Sequence, residues 1–264
     1  MAIVFLSSCT VGANNAGTLS LTTSPSPGGN ILAVVSIQER LNSVPTVLNY
    51  GDGGTAVGAS NVTADGRWQS FIRLFPNVPL SSCTITACMP NSPEAWVVSV
   101  RYYGNVNLQD LPGAAAATVV SGGPGAGGTS ASVSFATVPG ERIVDIVTVS
   151  SDVTALAPDA PQVARYDVDT AATGVEGAGS DTPAIAETTT MRWTWATASG
   201  SVIIAMQLKP VAGGAQVIWM MFKRGWAWLY ERLMAREWWR LIFRRCRLTP
   251  GPTECPSAGP VPGI

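Results

Sequence analysis

Short apolar runs separated by turn residues fill residues 1–210 of this chain, and they constrain its fold more than any other feature. The intervening clusters are SPSPGGN, YGDGGTAVG, TADGR, SGGPGAGGTS, VPGER and TASGS, where a strand cannot continue. Short strands joined by Gly-rich turns predict a β-sandwich or a barrel. The predicted strands are Ile3–Ser7, Thr18–Leu21, Asn30–Gln38, Thr46–Tyr50, Arg67–Phe75, Cys83–Cys88, Ala95–Tyr103, Ser130–Ala136, Arg142–Ser150, Gln162–Asp167, Thr188–Ala196 and Ser201–Lys209.

The hydrophobic patterning of these segments distinguishes central strands from half-buried ones. The runs ILAVVSI, WVVSV, IVDIVTV and SVIIAM are almost continuously apolar, which predicts central strands buried on both faces. In TMRWTWAT, the side chains of Met191, Trp193 and Trp195 share one face of the strand. We favour a core position for the two tryptophans over an exposed sugar-binding platform. The low-complexity stretch Gly113–Gly128 is predicted to connect two strands.

The composition argues against catalysis by this chain. It contains no histidine, so it lacks the commonest general base and metal ligand. No two of its five cysteines have CxxC spacing, so a zinc site is not expected. The carboxylates Asp145, Asp167 and Asp169 are available for glycoside hydrolysis, but nothing in the sequence brings two of them together. We therefore predict no catalytic residue, no metal and no cofactor.

The order of the apolar segments resembles that of a known β module. The segments are GNILAVVSI, PTVLNYGDGGTAV, GRWQSFIRLFPNVP, CTITACMP, EAWVVSVRYYGNVN, TSASVSFATVPGERIVDIVTV and MRWTWATASGSVIIAMQLKP, within about residues 15–210. Together they resemble the jelly-roll-like β-sandwich module of tailed-phage virion proteins and bacterial surface proteins, and SVIIAMQLKP is similar to its closing strand. The resemblance implies an all-β, jelly-roll-like antiparallel sandwich that binds, displays or builds a virion, without catalytic residues.

The composition changes after this body, which is predicted to span residues 1–210. Residues 211–215 predict a hinge, residues 216–248 an amphipathic α-helix, and residues 249–264 an extended tail rich in Pro and Gly. Spacings of three and four place an apolar stripe on the helix, and a spacing of four gives a basic ridge. The stripe comprises Trp219, Phe222, Trp226, Leu229, Leu233, Trp238 and Leu241. The ridge comprises Arg232, Arg236, Arg240 and Arg244.

Charge is divided unequally between body and helix. Residues 1–215 hold eight basic and fourteen acidic side chains, a net charge of −6, whereas residues 216–248 hold eight basic and two acidic ones, a net charge of +6. The stripe must be covered, since exposed tryptophans at this density would aggregate. Its partner could be the chain's own body, further copies in a homo-oligomer (a trimer is favoured), another virion protein, or a membrane surface. Protein contacts are favoured over membrane, and nucleic acid is an unlikely partner.

These observations predict a non-enzymatic structural or adhesive component of a phage virion, such as a decoration, fibre or tail-tip protein. The C-terminal helix would anchor it to the particle or to its own oligomer. One alternative is a carbohydrate-binding module of a bacterial surface or secreted protein, with a host-surface glycan as ligand. A second alternative is a β module anchored at a membrane interface. The aromatic candidates for glycan binding are Trp68, Tyr102, Tyr103, Trp193 and Trp195.

Overall fold

The computed structural model describes most of the first 211 residues. The described ranges are 1–14, 16–25, 30–40, 47–50, 57–64, 68–76, 78, 81–89, 95–112, 116–120, 127–150, 155–170 and 174–211. In these ranges the chain forms strands and connections, and no helix. The predicted helix of residues 216–248 and the tail of residues 249–264 lie outside the described residues, as does the hinge apart from residue 211.

Sixteen strands are described, and they divide into two sets of eight. The first set is β1 (Val4–Asn14), β2 (Thr18–Thr23), β3 (Leu32–Arg40), β4 (Val47–Tyr50), β5 (Val57–Ala64), β6 (Trp68–Phe75), β7 (Cys83–Cys88) and β8 (Ala95–Gly104). The second set is β9 (Ala116–Val120), β10 (Gly128–Ala136), β11 (Arg142–Ser150), β12 (Ala157–Pro158), β13 (Val163–Asp169), β14 (Val175–Pro183), β15 (Thr188–Ser199) and β16 (Ser201–Leu208).

The strand order is the same in both sets, so the described chain contains two copies of one eight-strand arrangement, an internal repeat. The first set forms a five-stranded sheet, β1-β8-β3-β6-β5, and a three-stranded sheet, β2-β7-β4. Adding eight to each strand number gives β9-β16-β11-β14-β13 and β10-β15-β12, which are the two sheets of the second set. Every pairing in these sheets is antiparallel. The repeat was not predicted from the sequence.

The four sheets form successive layers with three hydrophobic cores between them. The five-stranded sheets face each other across a central core that includes Val34 and Ile204. One outer core, with Phe71 and Ile85, separates the first five-stranded sheet from β2-β7-β4. The other, with Val147, lies between the second five-stranded sheet and β10-β15-β12. Each five-stranded sheet is therefore covered on both faces, which explains its continuously apolar central strands.

Contacts between the two halves follow an approximate twofold relation. Strand β1 contacts β13 and β5 contacts β9, so the edges of the two five-stranded sheets meet in equivalent pairs. Strands β6 and β16 form a contact equivalent to that of β14 and β8. In the same way, the contact between β6 and β11 is equivalent to the contact between β14 and β3. The halves therefore pack as two similar units would in a symmetric dimer.

The predicted central strands are confirmed, whereas several weaker segments were misjudged. ILAVVSI, WVVSV, IVDIVTV and SVIIAM supply β3, β8, β11 and β16, which are interior strands of the two five-stranded sheets. The prediction that Gly113–Gly128 only connects strands is wrong, because this stretch contains β9, which pairs with β16. Strand β14 was also missed, because VEGAGSDTP has the composition of a loop.

Candidate functional site

The five aromatic residues proposed for glycan binding are all buried. Trp68, Tyr102, Tyr103 and Trp193 are at most 1% exposed, and Trp195 is 5% exposed. A sugar platform needs an exposed ring face, so assigning these residues to glycan binding is wrong. The core position favoured for the two later tryptophans is confirmed.

Strand alternation directs these side chains into the cores, and the polar atoms of four of them, all except Trp68, have hydrogen-bond partners there. Adjacent Tyr102 and Tyr103 point to opposite faces of β8, the first into an outer core and the second into the central core. Tyr102 accepts a hydrogen bond from the Tyr50 hydroxyl at 3.0 Å. The indole N–H of Trp193 donates to Asp145 at 2.8 Å, and that of Trp195 donates to the Gly128 carbonyl at 2.9 Å.

The predicted anchoring stripe and basic ridge lie outside the described residues, so their assignment stays a prediction. The stripe is Trp219, Phe222, Trp226, Leu229, Leu233, Trp238 and Leu241, and the ridge is Arg232, Arg236, Arg240 and Arg244. Among the residues that can be described, no helix has the length and apolar character needed to cross a membrane.

A buried carboxylate, Asp181 of β14, joins strands from both halves. Its side chain is fully buried, and it accepts hydrogen bonds from the Tyr103 hydroxyl at 3.0 Å and from Arg165 Nε at 2.6 Å and Nη2 at 2.9 Å. Arg142 also pairs with it through Nη1. Burial raises the pKa of Tyr103, which keeps its hydroxyl a donor to Asp181. The Arg165 guanidinium in turn lies 4.0 Å from the ring centroid of Phe5.

A second buried carboxylate, Asp145 of β11, is surrounded by neutral donors. It accepts from the Ser180 amide and hydroxyl, both at 2.7 Å, from Gln162 Nε2 at 3.3 Å and from Trp193 Nε1 at 2.8 Å. Burial raises the pKa of Asp145, and the hydrogen bonds and the charge of Arg101 oppose that shift. This carboxylate is saturated by internal donors and is not presented to solvent.

A chain of hydroxyl and amide groups crosses the central core between the halves. Ser36 Oγ lies 2.5 Å from Ser99 Oγ and 3.0 Å from the Tyr166 hydroxyl. The Tyr166 hydroxyl donates to Gln38 Oε1 at 3.1 Å. Gln38 Nε2 then donates to the carbonyls of Val147 and Ala178 at 2.8 and 3.0 Å. Side chains of the first half are thus bonded to the backbone of the second.

Three carboxylates meet at the β13–β14 edge of the second five-stranded sheet. Asp169 is opposite Glu176 in the strand register, and Asp167 hydrogen-bonds with Glu176. Glu176 is only 4% exposed, and its Oε1 accepts from the Leu156 amide at 3.3 Å. Burial, followed by the charge of Asp167, raises the pKa of Glu176 to about 7. The pair can therefore share a proton near neutral pH.

This acidic group lacks the spacing of a glycoside-hydrolase pair. Such enzymes keep two carboxyl groups about 5 Å or more apart, whereas Asp167 and Glu176 are in hydrogen-bonding contact. Within the described part of the chain, no group of three or more acidic or thiol side chains could hold a metal ion. Sequence patterns pointed to Asp145, Asp167 and Asp169 but not to Glu176, because the composition of β14 is that of a loop.

Comparison with known proteins adds no relative. The chain matches no protein-family model, and no match is found among curated proteins or solved structures. The fold and the buried network therefore define the class of this protein. It is an all-β protein with a repeated eight-strand order. Its buried carboxylates Asp145 and Asp181 are hydrogen-bonded to other side chains of the protein.

Proposed function

We propose that this chain is a non-enzymatic structural or adhesive component of a phage virion, such as a decoration, fibre or tail-tip protein. The observation that carries the proposal is the repeated strand order. Within each half, the first, eighth, third and sixth strands form one sheet, and the second, seventh and fourth form the other. This order is similar to that of a jelly roll in which the fifth strand has moved to the first sheet, and the similarity supports the proposal. Jelly rolls are common in viral capsid and lectin domains.

The interior supports a role as a rigid body. Three cores separate four layers, and the central layers are further joined by Asp181 and Gln38. Buried hydrogen-bonded networks of this kind favour one packed arrangement over alternatives. A protein that positions partners on a particle needs such rigidity, whereas an enzyme needs an accessible site.

The outer sheets support contact with solvent or with neutral surfaces. On the exposed face of β2 and β7, Ser20 pairs with Thr86 at 3.2 Å and Thr22 with Thr84 at 3.0 Å. In the second half, Ser134 of β10 pairs with a threonine of β15 at 2.8 Å. Cross-strand hydroxyl pairs stabilise a sheet modestly and add no charge. Both outer faces therefore present neutral hydroxyl groups, and the face of the second half also carries the exposed Arg192.

The anchoring step of the proposal rests on residues 216–248. Their net charge of +6 complements the −6 of residues 1–215, which favours a protein surface as the partner. A homo-oligomer, with a trimer favoured, would let the apolar stripe of one copy pack on those of others. The membrane-interface alternative depends on the same helix. The five aromatic residues named for the glycan alternative are buried in the hydrophobic cores. That alternative therefore has less support than the leading proposal.

The anchor is tested by comparing the full chain with a variant ending at residue 211. We expect the truncated protein to remain folded and monomeric, whereas the full chain forms an oligomer by analytical ultracentrifugation. A double variant, Trp226→Ser with Leu229→Ser, should behave like the truncation. Ala235→Ser is the matched control, because Ala235 belongs to neither the stripe nor the ridge. An oligomer that persists after truncation would refute the anchor.

The virion assignment needs its own experiment. Particles purified from a lysate of cells that carry this coding sequence are analysed by mass spectrometry, with the truncated chain expressed in parallel. The proposal expects the full chain in the particle fraction and the truncated chain in the soluble fraction. Flotation of the full chain with anionic vesicles, without particle incorporation, would favour the membrane-interface alternative instead.

A further inference from the structure

The large apolar side chains that remain exposed in the described part of the chain are grouped at one end of the body. Their exposed fractions range from 46% to 73%, and the residues are Met1, Val4, Val138, Val163 and Ile185. Exposed apolar side chains need no explanation when they are scattered singly, whereas a group in one region marks an interaction surface. We call these five residues the apolar end.

Strand register places two of these residues on neighbouring edge strands. Val4 is the first residue of β1 and is opposite Gly104, the last residue of β8. Val163 is the first residue of β13 and is opposite Asp181, which accepts a hydrogen bond from Tyr103 of β8 at 3.0 Å. Strands β1 and β13 contact each other. Val4 and Val163 therefore lie at the same end of the two five-stranded sheets.

Two more of these residues lie in connections at the same end. Val138 is in the turn that precedes β11, and Ile185 is in the segment that follows β14. The Gly140 amide donates to the Ala184 carbonyl at 3.3 Å, so the turn and the segment are bonded to each other. The start of β11 is opposite the end of β14, and β13 begins beside the same end of β14. Val138 and Ile185 therefore lie at the end where β13 begins.

The fifth residue, Met1, lies where the described chain leaves the body. Its amine donates to the Val211 carbonyl at 3.4 Å, and a Cβ at Gly140 would lie 4.0 Å from Pro210. The chain therefore leaves the body at the apolar end. The predicted helix starts at residue 216, five residues further on, and five extended residues span at most about 18 Å.

A second copy of this chain is the partner that this connection favours. The proposed function includes association of the predicted helices in a homo-oligomer. Because so short a segment joins each helix to its own apolar end, association of the helices brings the apolar ends of the copies together around one axis. Closed symmetry then presents the same residues from every copy. The five side chains carry no charge, so removing them from water against one another is favourable.

We propose that the apolar end is a contact surface between copies of this chain, where Val138 and Ile185 of one copy pack against the apolar end of the next. The inference rests on the helix-mediated association in the proposed function, and it adds the part of the body that takes part. Five side chains are fewer than the roughly 20–30 residues on each side of a standard interface. The contact therefore strengthens an oligomer that the helices hold together, and it does not hold one alone.

Sedimentation equilibrium of the full chain tests the contact. Ile185→Asp places a charge in the interface and should raise the dissociation constant of the oligomer by at least about tenfold, since a charge buried without a partner is costly. The Ile185 side chain is 73% exposed, so the substitution leaves the hydrophobic cores intact. Ala196→Asp is the matched control and should leave the dissociation constant unchanged, because Ala196 is exposed on β15 and lies far along that strand from Thr188.

Hydroxyl-radical labelling of the wild-type full chain gives a second readout that needs no variant. Above the concentration at which the oligomer dissociates, Val138 and Ile185 should be labelled less than below it. Equal labelling in both states, or a dissociation constant that Ile185→Asp leaves unchanged, overturns the contact and leaves association through the helices in place. Equal weakening by Ile185→Asp and Ala196→Asp also overturns the contact, because the effect would then come from added charge anywhere on the body. A full chain that is monomeric at every concentration overturns the helix-mediated association as well.

Discussion

Glu176 offers the sharpest test of the energetics of this structure. Its carboxyl is 4% exposed, hydrogen-bonded to Asp167, and has a pKa raised from 4.5 to about 7 by burial and by the Asp167 charge. A raised folded pKa means that the folded state holds the proton more tightly than the unfolded chain does. The stability associated with that proton is complete below pH 4.5, falls as pH rises, and is lost above about pH 7.

The size of this effect follows from the shift. Each pKa unit corresponds to 1.36 kcal/mol, so the full shift corresponds to about 3 kcal/mol. Because Asp167 is exposed and solvent screens its charge, we expect about 1–3 kcal/mol in practice. Glu176→Gln keeps an oxygen for the Leu156 amide but cannot ionise. The variant should therefore be more stable than wild type at pH 8 by about that amount, and no more stable at pH 4.5.

The assay is urea unfolding followed by tryptophan fluorescence at pH 4.5, 6 and 8. The quantity compared is the difference in unfolding free energy between variant and wild type, which cancels groups that titrate in both proteins. The same difference is measured for Glu187→Gln as the matched control, because the Glu187 carboxyl is exposed. If the Glu176→Gln difference is the same at pH 4.5 and pH 8, the reasoning is refuted.

Three further predictions use the same unfolding assay. Asp181→Asn should cost about 3–5 kcal/mol, because it leaves the paired arginines without their buried counter-charge; a loss below 1 kcal/mol would contradict this. Trp193→Phe should cost about 1–3 kcal/mol, since a buried carboxylate loses its indole donor. Gly127→Ala should destabilise more than Gly140→Ala: both have positive φ, but a Cβ at Gly127 would lie 2.6 Å from a carbonyl oxygen, against a nearest contact of 4.0 Å at Gly140. Equal losses would refute the steric part of that argument.

The sequence allowed prediction of the strands that bury aliphatic side chains on both faces. ILAVVSI and IVDIVTV are β3 and β11, and WVVSV and SVIIAM are β8 and β16, so the four predicted central strands are two equivalent pairs of the repeat. Their patterning was visible because continuous apolar runs indicate such strands. The repeat itself was not visible, because their equivalence depends on pairing between distant segments.

Strand β14 could not be predicted because its glycines leave room for neighbouring side chains, and glycine has a low strand propensity. A Cβ at Gly179 would lie 2.5 Å from the Tyr166 ring, and one at Gly177 would lie 3.0 Å from the Gln38 side chain. Each glycine makes room for a polar side chain that crosses the central core. Glycine weakens a strand pattern, and neighbouring Asp181 normally indicates a turn. From its composition the segment is indistinguishable from a loop, and only its pairing with β11 and β13 shows that it is a strand.

The same departures concentrate the polar chemistry of the protein on one side of the approximate twofold relation. Strand β14 is equivalent to β6, whose sequence WQSFIRLF is rich in large apolar residues, and β8, with Arg101, is equivalent to the apolar β16. Strands β8 and β14 contact each other, and so do β6 and β16. One of these two contacts is thus built from apolar side chains and the other from a guanidinium, a carboxylate and glycines. The cost of Asp181→Asn therefore falls on only one of these two equivalent contacts, because β6 and β16 contain no carboxylate.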